Sequence, residues 1–397
     1  MKALFTWLGE YATIHASPRE LANTLTLAGQ AVDTIEERDG DALLELDLTS
    51  NRPDCLSHYG LAREISAITD TPLRPLDAPP LEQQAADEEV QIEAPEACGR
   101  YCALPFENVR VAAAEPAIAR RLAALGQHAV NNVADVTNYV LWETGHPTHA
   151  FDAARLHGGR IRVRWARKGE RLTTLDGVAR ELSPDDLVIA DAERPVALAG
   201  VMGGLETAIT AATTSVLIES AWFDPGVVRR TARRHGLHTE ASHRFERGAD
   251  PDAAPIAAAR IAHLLRGSAR AACIKVPMRV AEANLPQPST IRLRPERVRA
   301  ILGKALDAAE CSRRLSALGC RLLGPNEWLA PSWRPDLTRE IDLIEELARL
   351  HGYARFPSRL PAFSGLAQPL PEAGLRDRVR RQLRGRGFAE AIALSFA

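Results

Sequence analysis

Residue types that could do chemistry concentrate in four stretches of this 397-residue chain. In the first, residues 229–251, arginines, histidines and a threonine surround Gly236 and Gly248, which argue against one continuous helix. The stretch is either a solvated surface loop or the rim of a pocket that neutralises phosphates and offers polar donors to a ligand. Residue types alone leave both interpretations open.

A second stretch, residues 131–152, places Thr137 and Asn138 among apolar residues and carries His146 and His149 on either side of Pro147. A histidine near a turn is more often structural than catalytic. Two imidazoles and a Thr-Asn pair in one segment make a site and a structural role about equally plausible.

The third stretch is the apolar run VLIESAWF, which contains Glu219. Burying a carboxylate is costly unless it is paired or hydrogen-bonded, so Glu219 needs a partner. That partner is either a nearby arginine, in a structural ion pair, or a ligand hydroxyl. The neighbouring run AGVMGG, residues 199–204, would let the backbone approach such a ligand, although no GK[ST] follows it as in a P-loop.

The fourth stretch repeats carboxylates along one face of a predicted helix. Asp342, Glu345 and Glu346 stand at i, i+3 and i+4, where like charges repel. Either Arg339 and Arg349 compensate them, or a hard cation does.

Periodicity and capping signals predict an α+β, multidomain chain. A helix starts at Pro18, a half-buried strand covers Leu44–Leu48, and further strands are expected at 187–190, 216–218 and 291–293. Ser17 and Glu20 form a capping box for the helix at Pro18. Further helices are expected at 255–266, stopped by Gly267, from Pro295 to a stop at Gly303, after the cap residues Asp307 and Glu310, and at 341–350. A last helix through Leu375, Val379 and Leu383 is expected before a buried strand from residue 389. We expect a small α+β domain at 1–71, a proline-rich linker at 72–89, a mixed α/β domain at 90–267, a helix-rich domain at 289–363, and a further segment at 364–397.

Composition bounds the function classes. Lys plus Arg number 49 against 51 Asp plus Glu, so the chain has no strong overall field for nucleic acid, and any contact with RNA must use local patches. The six cysteines form no metal-binding or disulfide-like pattern, and neither a secretion signal nor an apolar run of about 20 residues is present. We expect a cytoplasmic protein without a membrane anchor.

These stretches, together with LDLTSNRPDCLSHYGLAREI at residues 46–65, resemble the beta subunit of bacterial phenylalanine–tRNA ligase in order and spacing over essentially the whole chain. The resemblance implies a B3/B4-type editing domain followed by a B5-type domain and the start of a synthetase-like core. It implies hydrolysis of tRNA mischarged with tyrosine, with the site residues His149, Gly203, Glu219, Thr239 and Ala241, and with Thr137 and Asn138 lining the same pocket.

Such an editing site makes physical sense. A pocket built for phenylalanine rejects tyrosine by only roughly 10², so errors must be removed afterwards. In a second pocket, Glu219 would be satisfied by the tyrosine phenol and left unpaired by phenylalanine. His149 could position or activate the hydrolytic water.

The resemblance also implies partners and cofactors. Mg²⁺ would be shared with the alpha subunit of an alpha2beta2 heterotetramer, ATP would be a substrate of the complex, and tRNA(Phe) would be bound. The Mg²⁺ positions correspond to Asp336, Asp342, Glu345 and Glu346.

Two departures keep other functions open. Family members carry an OB-fold tRNA-binding domain where this chain runs from Glu37 directly to Ala42, and they continue beyond the equivalent of Ala397. A free-standing deacylase that edits mischarged tRNA in trans, and a tRNA-binding fragment without catalysis, are therefore the alternatives to a ligase beta subunit.

Overall fold

The computed structural model describes the chain except residues 39, 269–271, 274–276, 359, 361, 363–364, 366–367 and 394–397. The chain divides into one compact unit, Met1–Phe356, and a second one, Pro357–Ala397. The first unit combines helices with sheets whose strand pairs are mostly antiparallel, which confirms the α+β class. None of the described helices is long and apolar enough to span a membrane.

The first residues form a three-stranded sheet in the order β1-β3-β2 with helices packed against it. Ser17 and Glu20 form the predicted capping box at the start of α2. The strands β2 and β3 pair directly through a short turn at Gly40, so no domain is inserted between them. The elements are β1 (Lys2–Leu4), α1 (Phe5–Tyr11), α2 (Pro18–Leu27), β2 (Ala31–Arg38), β3 (Asp41–Asp47) and α3 (His58–Thr69).

The middle of the chain builds two larger sheets. The first strand of these sheets, β4, lies inside the linker expected at 72–89 and pairs with β16. The elements are β4 (Gln83–Ala85), β5 (Val90–Ile92), β6 (Cys98–Glu107), α4 (Pro116–Ala124), α5 (Asn132–Thr144), β7 (Thr148–Asp152), β8 (Ile161–Trp165), β9 (Arg171–Thr173), β10 (Ala179–Glu181), β11 (Leu187–Ala190), β12 (Pro195–Leu198), β13 (Met202–Gly203), β14 (Val216–Phe223), α6 (Pro225–Arg234), α7 (Glu240–Phe245), α8 (Ala253–Ser268), β15 (Ala272–Cys273) and β16 (Met278–Glu282).

One sheet has the order β4-β16-β6-β14-β7, with β15 also pairing with β6, and the other has the order β13-β12-β11-β8-β5. The predicted strands at 187–190 and 216–218 are confirmed as β11 and the start of β14. The expected stop of the helix at Gly267 is wrong by one residue, because α8 continues to Ser268.

The six-stranded sheet separates two apolar cores, because side chains alternate across a strand. Ile218 and Cys102 face a core shared with residues 1–70 and with α5 and α8. Ala221 and Tyr101 face a second core, shared with the five-stranded sheet. Glu219 is two residues before Ala221 and therefore points towards the second core.

The elements that follow are β17 (Thr290–Arg292), α9 (Pro295–Leu302), α10 (Ala308–Ala317), β18 (Arg321–Gly324), β19 (Glu327–Leu329) and α11 (Glu340–His351). They confirm the predicted helices: α9 ends at Gly303 with a left-handed backbone, and the Asp307 side chain caps α10.

The second unit contains α12 (Ala373–Gly385), which confirms the predicted helix. The buried strand expected from residue 389 is wrong for residues 389–393, which lack regular structure and are exposed. The rest of that expectation, residues 394–397, lies outside the described part of the chain.

Candidate functional site

A cavity of about 250 Å³ opens beside the second core, at the edge of the six-stranded sheet. Its wall brings together residues from α5, β7, β14, the glycine-rich segment 200–203 and the start of α7. Six of the seven residues expected from the sequence line it: Asn138, His149, Gly203, Glu219, Thr239 and Ala241. Separate parts of the sequence thus meet at one place.

Glu219 lies at the floor of this arrangement on β14. Its exposed fraction is 6%, and no ion pair to it is found among the described residues, so the structural ion pair considered from the sequence is not formed. Its Oε2 has no hydrogen-bond partner among the described protein groups. Burial raises the pKa of Glu219 from 4.5 to about 8, against a smaller lowering effect of the Tyr101 hydroxyl. The carboxyl is therefore mostly protonated at neutral pH.

His149 stands directly beside Glu219, because the two residues are partners in the antiparallel pairing of β7 with β14. Burial lowers the pKa of His149 to about 4, so the imidazole is neutral at neutral pH. Its ring contacts Phe151 edge-on at 4.6 Å between centroids, and its Nε2 has no hydrogen-bond partner among the described protein groups. A neutral imidazole can accept a hydrogen bond from water or a ligand.

Gly203 covers the His149 ring from the opposite sheet. A Cβ at this position would lie 2.4 Å from Cε1 and 2.5 Å from Nε2 of His149. The close approach therefore requires glycine, here against the His149 ring, whereas the AGVMGG run was expected to approach a ligand. The pairing of β13 with β12 holds Gly203 opposite Ala197.

Thr239 serves as the N-cap of α7 rather than as a free hydroxyl. Its Oγ1 accepts a hydrogen bond from the backbone N–H of Ser242 at 3.0 Å and donates one to the Val201 carbonyl at 2.9 Å. It thereby ties α7 to the glycine-rich segment and places Ala241 on the cavity wall. Its geometry is that of a positioning residue.

Asn138 and Thr137 separate on α5. Asn138 lines the cavity, whereas Thr137 is absent from its lining, and the Thr137 hydroxyl donates to the Ala134 carbonyl at 2.7 Å. The Thr137 hydroxyl is thus bonded within its own helix. Successive residues of a helix point about 100° apart, which places the Thr137 side chain away from the cavity that Asn138 lines.

The sequence analysis missed Tyr101, whose hydroxyl lies beside the Glu219 carboxyl from β6. In this structure the two groups do not reach ideal hydrogen-bond geometry, since the Tyr101 hydroxyl also lacks a well-aligned partner among the described protein groups. Nothing in the local sequence RYCALPFE marks this tyrosine. Its neighbours become visible only through the register of β6 with β14, in which Tyr101 pairs with Ala221.

The basic stretch forms two helices instead of one loop, with Gly236 between them at a φ of +62°. Its arginines differ in availability. Arg244 is 2% exposed and donates to the Leu56 and Glu240 carbonyls, and Arg234 pairs with Asp186. All four arginines of α6 are exposed, and Arg229, Arg230 and Arg233 form no ion pair with a described residue.

We call Asp336, Asp342, Glu345 and Glu346 the acidic cluster. Arg334 bonds Asp336 at 2.8 Å and Glu346 at 2.9 Å. Burial alone would raise the pKa of Glu346, but Arg349 and Arg334 outweigh it and hold that pKa well below its usual range. Asp342 accepts hydrogen bonds from the backbone N–H groups of residues 338 and 339, and Glu345 is exposed.

Arginines extend this network to the first residues of the chain. Arg349 also pairs with Glu64, and Arg52 bonds Glu64 at 2.7 Å and Asp54 at 2.9 Å. In the part of the chain that the structure describes, the acidic cluster does not have the spacing of metal ligands. Asp54, Cys55 and Glu64 do have that spacing, but the Arg52 guanidinium donates to all three. The acidic cluster therefore does not fit Mg²⁺ in this arrangement, because arginines already satisfy its buried carboxylates.

Comparison with known families agrees with the arrangement of the fold. Residues 97–269 match the B3/4 domain, and residues 291–353 match the tRNA synthetase B5 domain. An N-terminal fragment of the phenylalanyl-tRNA synthetase beta-subunit from Pyrococcus horikoshii has a similar fold, with a TM-score of 0.51, 15% identity, and coverage of 88% of this chain and 99% of that one.

Curated relatives found by sequence have a higher identity to this chain than that structure has. The chain is 45% identical to the phenylalanine–tRNA ligase beta subunit of Anaeromyxobacter dehalogenans, over 94% of this chain and 47% of that protein. It is 46% identical to that of Moorella thermoacetica, over 90% of this chain and 45% of the relative. The chain thus spans about half the length of these curated relatives. This chain is therefore similar in sequence to phenylalanine–tRNA ligase beta subunits over nearly all of its length, and it contains the B3/4 and B5 domains in that order.

Proposed function

We propose that the chain acts as a phenylalanine–tRNA ligase beta subunit whose B3/4 domain hydrolyses Tyr-tRNA(Phe). One observation carries the editing part of this proposal: Glu219 is buried at a cavity of about 250 Å³, and no basic side chain in the described ranges pairs with it. Buried acids with strongly shifted pKa values at a cavity are typical of functional sites. The shared ancestry with beta subunits supports the substrate class.

Glu219 would distinguish tyrosine from phenylalanine. With a pKa of about 8, its carboxyl is mostly protonated at neutral pH, so it offers both an O–H donor and carbonyl acceptors. A tyrosine phenol can satisfy this group, whereas a phenylalanine ring would leave a buried polar group unpaired. Leaving such a group unpaired costs about 1–3 kcal/mol, which corresponds to roughly 10-fold to 100-fold selectivity.

The other residues would hold the ester for attack by water. The neutral His149 imidazole can accept a hydrogen bond from the attacking water. Because His149 is the strand partner of Glu219, it lies next to the group that would bind the phenol of the esterified tyrosine. Gly203 fixes the ring, Asn138 offers an amide, and Thr239 and Ala241 shape the wall. In this scheme Thr137 supports α5 and does not touch the substrate.

The synthetic reaction belongs to the complete ligase. We propose an alpha subunit as partner in an alpha2beta2 heterotetramer, tRNA(Phe) as substrate, ATP as substrate of the complex, and a cytoplasmic location. Mg²⁺ would serve the ATP chemistry of that complex.

The proposed domains are residues 1–71, a linker at 72–89, and residues 90–267, 289–363 and 364–397. Residues 1–70 share one apolar core with α5 and α8 of the proposed editing domain, so the first boundary crosses a packed region and can be tested there.

Deacylation of purified Tyr-tRNA(Phe) and Phe-tRNA(Phe) tests the proposal, with the wild-type chain and Glu219→Ala measured with and without an alpha subunit. We expect selective hydrolysis of Tyr-tRNA(Phe) that Glu219→Ala lowers by about 10²–10⁴. Full activity without the alpha subunit would instead favour a free-standing deacylase. Binding of tRNA without hydrolysis would contradict the editing role.

A further inference from the structure

Tyr101 is a fully buried phenol whose role the proposed site leaves unexplained. It lies on β6 opposite Ala221, and Glu219 precedes Ala221 by two residues on β14, so Tyr101 and Glu219 are diagonal neighbours on one face of the sheet. The Tyr101 hydroxyl lies beside the Glu219 carboxyl. A buried tyrosine hydroxyl normally has a hydrogen-bond partner, and this carboxyl is the group within its reach.

The two oxygens of Glu219 would then have different tasks. Oε2 has no partner among the described protein groups, and the Tyr101 hydroxyl lies beside the same carboxyl without a well-aligned hydrogen bond to it. A small shift that closes this hydrogen bond would leave the carboxyl fewer accessible rotamers. Its remaining oxygen is then already oriented when a ligand phenol arrives.

We propose that Tyr101 is a positioning residue that orients Glu219 for recognition of the tyrosine phenol of the substrate. This role rests on the proposed function of the cavity. Tyr101 does not contact the substrate, since it is 0% exposed and absent from the cavity lining. It acts through Glu219, which does line the cavity.

The surroundings of Glu219 make the Tyr101 hydroxyl important. The titratable groups near it are Tyr101 and Cys98 on β6, His149 on β7, and Glu240 on the cavity wall. Burial keeps the Cys98 thiol and the His149 imidazole neutral, so neither supplies a positive charge. A hydrogen bond from the Tyr101 hydroxyl is therefore a principal way in which the protein can stabilise the ionised form of Glu219.

Tyr101→Phe tests this role, because it keeps the packed ring and removes only the hydroxyl. We expect the selectivity for Tyr-tRNA(Phe) over Phe-tRNA(Phe) to fall by about tenfold, the size of one lost hydrogen bond. The pH at which Glu219 titrates should rise, since the hydroxyl stabilises the carboxylate. That pH can be followed by the pH profile of selectivity and by carbon-detected NMR of the glutamate carboxyl.

Tyr11→Phe is the matched control. The Tyr11 hydroxyl donates to the buried Glu143 carboxylate at 2.5 Å, and neither residue lines the cavity, so this variant loses a phenol–carboxylate bond outside the site. We expect it to lower thermal stability while selectivity and its pH profile stay at wild-type values. If both variants changed selectivity equally, Tyr101 would be structural and the inference would be overturned.

The outcomes separate the inference from the function on which it rests. Unchanged selectivity and pH profile in Tyr101→Phe, combined with a clear loss in Glu219→Ala, would overturn the role of Tyr101 alone. No selective hydrolysis by the wild-type chain with an alpha subunit, or none lost in Glu219→Ala, would overturn the proposed function and this role with it.

Discussion

Replacing Glu219 by glutamine keeps the shape of a buried side chain and removes its charge. In the folded protein the pKa of Glu219 is about 8, compared with 4.5 for an unperturbed glutamate. Because the folded value is the higher one, stability is fully present below about pH 4.5 and is lost as the pH rises towards 8. Over the interval from pH 4.5 to 7, one pKa unit corresponds to about 1.4 kcal/mol, so the wild-type chain loses about 3 kcal/mol.

Glu219→Gln avoids this loss because an amide does not ionise. We expect the variant and the wild type to have equal free energies of unfolding near pH 4.5. The variant should be the more stable one by about 3 kcal/mol at pH 7 and by about 4 kcal/mol at pH 8. Denaturant unfolding at both pH values, followed by far-UV circular dichroism, measures this difference.

The same variants separate stability from function. Glu219→Ala should lower Tyr-tRNA(Phe) hydrolysis by about 10²–10⁴, whereas Glu219→Gln should retain part of the selectivity because an amide still bonds a phenol. An ion-paired Glu219 would behave in the opposite way, since its replacement would strand a cation and cost about 3–5 kcal/mol at neutral pH. A strongly destabilised Glu219→Gln would therefore refute the inference that Glu219 is buried without an ion-pair partner.

Three further predictions concern other parts of the chain. Gly203→Ala should displace the His149 ring and lower hydrolysis by about 10², whereas Gly9→Ala, where an added Cβ meets nothing within 4 Å, should leave the deacylation rate unchanged. Arg229→Ala with Arg233→Ala should reduce the slope of log tRNA affinity against log salt by about 1–2, and an unchanged slope would remove α6 from the tRNA path. Calorimetric titration of Mg²⁺ should show no tight binding at the acidic cluster, because arginines already bond its buried carboxylates; a tight one-to-one isotherm would contradict this.

Local signals in the sequence were sufficient for many elements of the fold. The capping box at Ser17 and the glycine stop at Gly303 depend on residues a few positions apart, and both are present as predicted. The strand expected after residue 389 had no such support. An apolar run needs a surface to cover it, and Ile392 is 91% exposed in the described structure.

The site was partly predictable for a different reason. Glu219 was conspicuous because a carboxylate interrupts an apolar strand, and the glycine-rich run because it allows close backbone approach. That the approach is made to the His149 ring was not predicted. Tyr101 and Thr137 show the limit. Whether a tyrosine in an apolar strand lies near a carboxyl depends on the register of the strands. Whether a threonine in a helix faces a cavity depends on the rotation of the helix about its axis. The local sequence determines neither.

The chain buries four glutamates among its described residues, and it treats one of them differently. Glu64 and Glu346 share Arg349, and Glu143 bonds Arg260 at 2.8 Å, so each of these charges is compensated where it is buried. Glu219 has no such cation, although a chain with 49 basic residues could have supplied one. A phenol and a neutral imidazole are among its neighbours, and it opens on a cavity. A position that costs stability at neutral pH and could easily be compensated is best explained by a ligand that completes it, and a phenol is a ligand that a largely protonated carboxyl can both donate to and accept from.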